Sequence, residues 1–91
     1  MKPTVAQRRV LEFIKYPGHL SSSHDLEGAR YYFKGGGPRV HWNTGEALRS
    51  AGYIAAMPRQ PNTPFWRTDF DITPAGRAAV PAPATRDLRR P

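Results

Sequence analysis

Glycine and proline residues divide this chain into short segments, and that division limits what it can fold into. The main interruptions lie at residues 17–18, 35–38, 52 and 58–64. Glycine reverses a chain through backbone angles that other residues avoid, and proline cannot continue a helix or a central strand. The pattern therefore predicts short helices and strands joined by turns, in one small domain over residues 1–80.

Composition permits one modest core and a positively charged surface. Hydrophobic residues make up 38% of the 91 residues, and no apolar run approaches the roughly 20 residues of a membrane-spanning helix. The 14 lysines and arginines against 7 acidic residues give a net charge of +7, which attracts nucleic acid or an acidic protein surface. The lack of cysteine excludes disulfides, thiolate metal sites and thiol catalysis. Since the N-terminal stretch is charged where a signal peptide would be apolar, we expect a cytoplasmic, nucleoid-associated protein.

Two helices are predicted before the glycine-rich turn. The first covers residues 4–16, where Thr4 and Gln7 have the spacing of a capping box. The second covers residues 25–34, because Leu26 begins a series of side chains at helical spacing. Three serines precede that series and are good N-caps.

A third helix is predicted over residues 38–51. Pro38 suits the first turn of a helix, and Gly52 stands where a left-handed residue ends one. Gly45 lies inside this helix at a cost of about 1 kcal/mol relative to alanine.

A hairpin and a short helix are predicted after Gly52. Ile54 and the alternating run FWRTDFDI predict two strands, joined by a proline-rich loop over residues 55–65 that is ordered before it binds anything. Thr73 and Pro74 predict the N-cap and first residue of a helix that ends at Val80. Residues 81–91, rich in proline and arginine, predict a disordered basic tail.

Two stretches, TGEALRSAGYIAAMP and DITPAGRAAV, resemble the winged helix-turn-helix superfamily of DNA-binding domains. Many members have a recognition helix, a two-stranded wing and then a Thr-Pro-x-Gly-Arg segment. The resemblance covers residues 4–80 and implies an α+β fold: three helices, a two- or three-stranded β-wing and a short C-terminal helix. The glycine-rich turn FKGGGPR departs from the short polar turn of many members. Without a long flanking helix, the resemblance implies a monomer or weak homodimer, similar to small regulators of phages and mobile elements.

The resemblance also implies how the chain meets double-stranded DNA: helix 38–51 in the major groove, and the 55–65 wing on the adjacent backbone or minor groove. The candidates for base reading on the helix are Arg39, His41, Trp42, Asn43, Glu46 and Arg49. The candidates in the wing are Arg59, Gln60, Asn62 and Arg67. Candidates for phosphate contact are Arg8, Arg9, Lys15, Lys34, Arg86, Arg89 and Arg90. Trp42 has two interpretations, packing on a neighbouring element, which we favour, or contact with a partner.

Two functions fit this sequence. The first is sequence-specific binding of double-stranded DNA, in transcriptional regulation. The alternative is a protein-interaction winged helix, such as a small phage-type inhibitor of a host nucleic-acid enzyme. A basic face shared by the third helix and the wing favours DNA, whereas an exposed apolar patch of Trp42, Tyr31 and Tyr32 favours a protein partner.

Catalysis, cofactors and metals are not expected. The histidines at positions 19, 24 and 41 have no metal-ligand spacing. Ser23, His24 and Asp25 match a catalytic triad in composition only, because adjacent residues on a helix point in different directions. The glycine run before Pro38 lacks the lysine and serine of a phosphate-binding loop.

Overall fold

The computed structural model describes residues 3–26 and 28–80. Their helices and strands, in chain order, are α1 (Val5–Phe13), β1 (Leu20–Asp25), β2 (Gly28–Phe33), α2 (Trp42–Ser50), β3 (Ile54–Ala56), β4 (Arg67–Ile72) and α3 (Pro74–Ala78). The α+β class is confirmed. The number of elements differs from the prediction, since the described residues hold three helices and four strands.

One antiparallel sheet with the order β2-β1-β4-β3 forms the centre of the fold. Leu20 lies opposite Phe33 on β2 and Phe70 on β4, so one face of the sheet carries large apolar side chains. Leu11 of α1 and Leu48 of α2 join these residues in the buried core. Both helices therefore pack on this face, which we call the core face.

The opposite face of the sheet carries polar side chains and is called the polar face here. The pairing register assigns eight residues with polar side chains to it: Ser21, Ser23, Asp25, Arg30, Tyr32, Arg67, Asp69 and Asp71. Lys34 follows β2 and reaches the same face, where it pairs with Asp69. Asp69 accepts a hydrogen bond from the Ser21 hydroxyl at 2.7 Å and forms ion pairs with Lys34 at 3.3 Å and Arg67 at 3.1 Å. Partial burial acts to raise the pKa of the Asp69 carboxyl, but these three partners outweigh it and hold that pKa below its ordinary value.

Asp69→Asn is expected to reduce the free energy of unfolding by about 1–3 kcal/mol at pH 7, because it leaves partly buried cations without their anion. The pKa of Asp69 is lower in the folded state than its ordinary value of 3.8. The carboxylate therefore contributes its full stabilisation when the pH is above that ordinary pKa. That stabilisation is lost as the pH falls through the pKa of Asp69 in the folded state. The wild type and the variant should then have similar free energies of unfolding. Urea denaturation across a pH series measures it, with Asp71→Asn as the control on the same strand. Equal losses from both variants would contradict the Asp69 cluster.

Local sequence signals set three of the helix ends as predicted: the start of α1, the end of α2 and the start of α3. The capping box of α1 is confirmed: the Thr4 hydroxyl accepts from the Gln7 amide at 3.1 Å, and the Gln7 side chain accepts from the Thr4 amide at 3.0 Å. Gly52 follows α2 with a φ of +81°, and Thr73 caps α3 with Pro74 in its first turn. The helix predicted over residues 4–16 ends earlier, at Phe13.

The helix predicted over residues 25–34 is wrong, because this segment belongs to the β1–β2 hairpin. Tyr31 and Phe33 point to the core face and alternate with Arg30 and Tyr32 on the polar face. Alternation of this kind is the two-residue period of a strand. The serines expected to cap a helix are instead buried within β1.

The third helix begins four residues later than predicted, at Trp42. Val40 forms an antiparallel bridge with Tyr31, so the chain around it is extended along the free edge of β2. Pro38 therefore precedes the helix, and His41 is the N-cap residue. The winged helix-turn-helix arrangement is not confirmed, since a hairpin stands in the chain where its second helix was predicted.

The predicted β3–β4 hairpin is confirmed, with Ile54 opposite Ile72 and a proline-rich connection. The connection lies at the same end of the sheet as the β1–β2 turn, because the His24 amide donates to the Trp66 carbonyl at 2.8 Å. The first residue of α2 also lies there, with the Trp42 ring centroid 5.6 Å from that of His24. We call this end of the molecule the hairpin end.

Candidate nucleic-acid interface

A groove of about 420 Å³ runs beside the free edge of β2 and reaches the start of α2. The bridge between Val40 and Tyr31 places Arg39 and His41 on the same side as Arg30 and Tyr32. These four side chains, together with Trp42, are among those lining the groove. We call it the basic groove.

The positive charge of the basic groove comes from Arg30 and Arg39, which are both exposed. Neither has a carboxylate within ion-pair distance among residues 3–26 and 28–80. The neighbouring N-terminus of α2 adds partial positive charge, because His41 provides no side-chain cap. The groove therefore attracts anions.

Trp42 packs within the protein, as favoured from the sequence. Its ring centroid lies 5.0 Å from that of Tyr31, and the side chain is half-buried against the core. The exposed apolar patch of Trp42, Tyr31 and Tyr32 does not form, because Tyr31 is 4% exposed.

The exposed part of α2 presents Asn43 and Arg49 to solvent. Glu46, predicted to face DNA, accepts a hydrogen bond from the Tyr31 hydroxyl at 2.7 Å and lies 3.7 Å from Arg49. Burial and this hydrogen bond raise the pKa of Tyr31 well above its ordinary value. Glu46 therefore has an internal role, in holding α2 to β2.

The loop between β3 and β4 is tied together by Arg59. The Arg59 guanidinium donates to the carbonyl of Arg67 at 2.7 Å, to that of Thr63 at 3.2 Å and to that of Pro64. Gln60 and Asn62 are exposed at the loop surface. Arg59 thus orders the loop, and Gln60 and Asn62 are side chains that the loop presents to solvent.

The remaining predicted contact residues are dispersed. Arg67 and Lys34 are paired with Asp69 on the polar face. Arg8, Arg9 and Lys15 are exposed on or just after α1. Arg86, Arg89, Arg90 and the predicted tail at 81–91 lie outside the described residues.

Three residues of the candidate interface were not predicted from the sequence: Arg30, Tyr32 and Trp66. The first two were assigned to a helix, where they would face different sides. Reading the run GARYYFK as a strand places them together on one face. Trp66 was assigned to a half-buried strand, and it lies just before β4 with 40% of its surface exposed.

Ser23, His24 and Asp25, which match a catalytic triad in composition only, do not share one face of the sheet. Ser23, His24 and Asp25 are consecutive on β1, so His24 points to the opposite face from the other two. His19 is buried, and its Nδ1 accepts the Lys15 amide at 3.1 Å. Within residues 3–26 and 28–80, no group of three or more His, Asp or Glu side chains is arranged to hold a metal ion.

Comparison with protein-family models, curated proteins and solved structures gives no match for this chain. None of the helices in the described ranges is long and apolar enough to cross a membrane.

Proposed function

We propose that this protein binds double-stranded DNA through its basic groove, the exposed part of α2 and the 55–65 loop. The observation that carries the proposal is a pair of arginines, Arg30 and Arg39, beside the uncapped N-terminus of α2; within residues 3–26 and 28–80 neither forms an ion pair. Guanidinium groups and helix N-termini are both suited to phosphate oxygens. The net charge of +7 adds long-range attraction to the same polyanion.

In this proposal, each part of the surface has a different task. The basic groove contacts the phosphate backbone and fixes the position of the protein, which adds affinity without sequence preference. Asn43, exposed in the first turn of α2, reads a base edge in the major groove, and an amide is suited to adenine. Gln60 and Asn62 lie on the loop that Arg59 has already ordered, so less conformational entropy is lost when it docks. The proposed role is transcriptional regulation by a small winged-helix-type protein.

Binding to random-sequence duplex DNA across a salt series tests the proposal. We expect measurable affinity at low salt and a steep fall of log affinity with log salt, because each phosphate contact releases counterions. Fluorescence anisotropy of a labelled duplex measures it. Lack of binding at low salt would rule the proposal out.

Asn43→Ala is expected to reduce the difference in affinity between a selected target duplex and random DNA by roughly 5- to 150-fold, from about 1–3 kcal/mol for one base contact. Arg39→Ala is the control, since loss of a phosphate contact weakens binding of both duplexes alike. Target sequences come from selection on a random library, and anisotropy gives both affinities. If the two variants weaken both duplexes equally, α2 does not read bases.

The alternative function, docking on another protein, is supported by a different observation at the hairpin end. Leu26 is fully exposed and Phe65 is 92% exposed, in the two connections that lie side by side there. Exposed apolar side chains grouped in this way are typical of protein interaction sites. Two results together would favour this alternative: the wild-type protein fails to bind duplex DNA, and Leu26→Ser abolishes its binding to another protein.

A further inference from the structure

A second pocket, of about 360 Å³, opens on the polar face near the hairpin end. It is lined by Ser23, Asp25, Arg30, Tyr32 and Trp66. Its size is within the range of about 300–1,000 Å³ that small-molecule sites occupy. Arg30 and Tyr32 also line the basic groove, so the two depressions are adjacent.

The Ser23 hydroxyl is a buried polar group without a hydrogen-bond partner in the described part of the chain. Its residue is only 3% exposed, so water does not readily compensate for the missing bond. A buried, unpaired hydroxyl destabilises a fold, and a persistent one requires an explanation. Because Ser23 lines the pocket, rotation of this hydroxyl toward the pocket would let the polar edge of a ligand supply the missing hydrogen bond.

Three of the four other lining residues, all except Asp25 with its carboxylate, indicate what kind of ligand this is. Trp66 and Tyr32 offer two aromatic surfaces, and Arg30 offers both a cation and a planar group for stacking. Aromatic side chains beside a basic path are the usual means of holding unstacked nucleobases. The Trp66 backbone is fixed by its bond from the His24 amide, so the indole is presented from an ordered position.

We propose that this pocket binds one unstacked nucleobase, with its ring against Trp66 and Tyr32 and its polar edge toward Ser23. The inference rests on the proposed function, because the basic groove carries the phosphate backbone to the pocket through the shared Arg30. A duplex that ends in unpaired nucleotides therefore binds more tightly than the same duplex with blunt ends. The protein is then suited to DNA ends, junctions or locally opened sites.

The test compares a blunt duplex, the same duplex with a three-nucleotide single-stranded overhang, and a free deoxynucleoside monophosphate. Wild type is expected to bind the overhang duplex about 10-fold more tightly than the blunt one, since stacking one base contributes strongly to affinity. Tryptophan quenching by the mononucleotide alone shows that a free nucleotide also enters the pocket. Equal affinities for the two duplexes, together with no quenching by the mononucleotide, would overturn the proposal.

Trp66→Ala is expected to remove the 10-fold advantage of the overhang, and Trp66→Phe to keep most of it. Phe65→Ala is the matched control, because this neighbouring ring is more exposed than Trp66 and does not line the pocket. The advantage should survive in that variant. If Trp66→Ala and Phe65→Ala reduce the advantage of the overhang equally, the hairpin end makes only general apolar contact with the DNA. That result would overturn the proposal that the pocket binds a nucleobase.

Ser23→Ala separates the functional role of the hydroxyl from a structural one. Removal of an unpaired buried hydroxyl is expected to raise Tm, while the advantage of the overhang falls several-fold. A higher Tm with an unchanged advantage would overturn the role of Ser23 as a base contact. Binding of the overhang without any binding of the blunt duplex would support the pocket and reject the duplex-binding function, so the two can fail separately.

Discussion

Gly45→Ala is expected to reduce the free energy of unfolding by about 2 kcal/mol, although alanine is the better helix former. A Cβ at this position would lie 2.6 Å from Tyr31 Cγ and closer still to two other atoms of the same ring. The gain in helix propensity is about 1 kcal/mol, and overpacking of a filled core costs about 1–3 kcal/mol or more. The overlap outweighs the gain here because the ring has little room to move.

The Tyr31 ring is held from several sides. It is 4% exposed, its hydroxyl donates to Glu46, and its centroid lies 5.0 Å from Trp42 and 5.6 Å from Phe70. Relief of the overlap therefore has to move α2 away from β2, which disturbs the start of the basic groove as well.

Urea denaturation of wild type and Gly45→Ala measures the effect, with Ser50→Ala as the control in the same helix. Ser50 is exposed in the last turn of α2, so its replacement should change stability by a few tenths of a kcal/mol at most. A Gly45→Ala protein as stable as wild type would show that α2 does not pack this closely on β2.

Gly45 also illustrates which parts of the fold the sequence could predict. The sequence alone shows only an unfavourable residue inside a helix. The requirement for glycine comes from the Tyr31 ring, which lies on β2. The Thr4 cap, the Gly52 end and the Thr73-Pro74 start were predicted correctly because each depends on contacts within a few residues.

The prediction of a second helix was wrong because the structure of that segment depends on contacts far away in the chain. Leu26, Ala29 and Phe33 fit a helical spacing, while Ala29, Tyr31 and Phe33 fit the alternation of a strand. Local pattern does not decide between them. The decision comes from pairing of β1 with β4, more than 40 residues away in the chain, where Ser21 finds Asp69 and Leu20 finds Phe70.

The candidate site shows the same division between local and distant information. Asn43 and Arg39 are exposed as predicted, since helix and turn signals determine their surroundings. Glu46, Lys34 and Arg67 have partners on other elements, and no sequence pattern revealed those pairings. In such a protein, a charged residue in the sequence therefore predicts exposure to solvent more reliably than it predicts a role in binding.

The double variant Arg30→Ala/Arg39→Ala is expected to weaken duplex binding on the order of 100-fold, from about 1.5 kcal/mol for each charged contact. It should also reduce the slope of log affinity against log salt by about 2, because two phosphate contacts no longer release counterions. Both arginines are exposed and neither has an ion-pair partner in the described ranges, so the fold should be unaffected. Unchanged Tm and circular dichroism check this point.

One pair of variants distinguishes the contribution of the basic groove to DNA binding from that of the net charge of the whole protein. Arg39→Ala and Arg77→Ala remove the same charge, but Arg77 lies on α3 and does not line the groove. If the groove binds phosphate, Arg39→Ala weakens binding roughly 10-fold and lowers the slope by about 1, while Arg77→Ala changes both only slightly. Equal effects would mean that DNA is attracted by net charge alone, since at long range each single charge contributes about equally wherever it lies on the surface. The interface would then have to be sought away from α2 and β2.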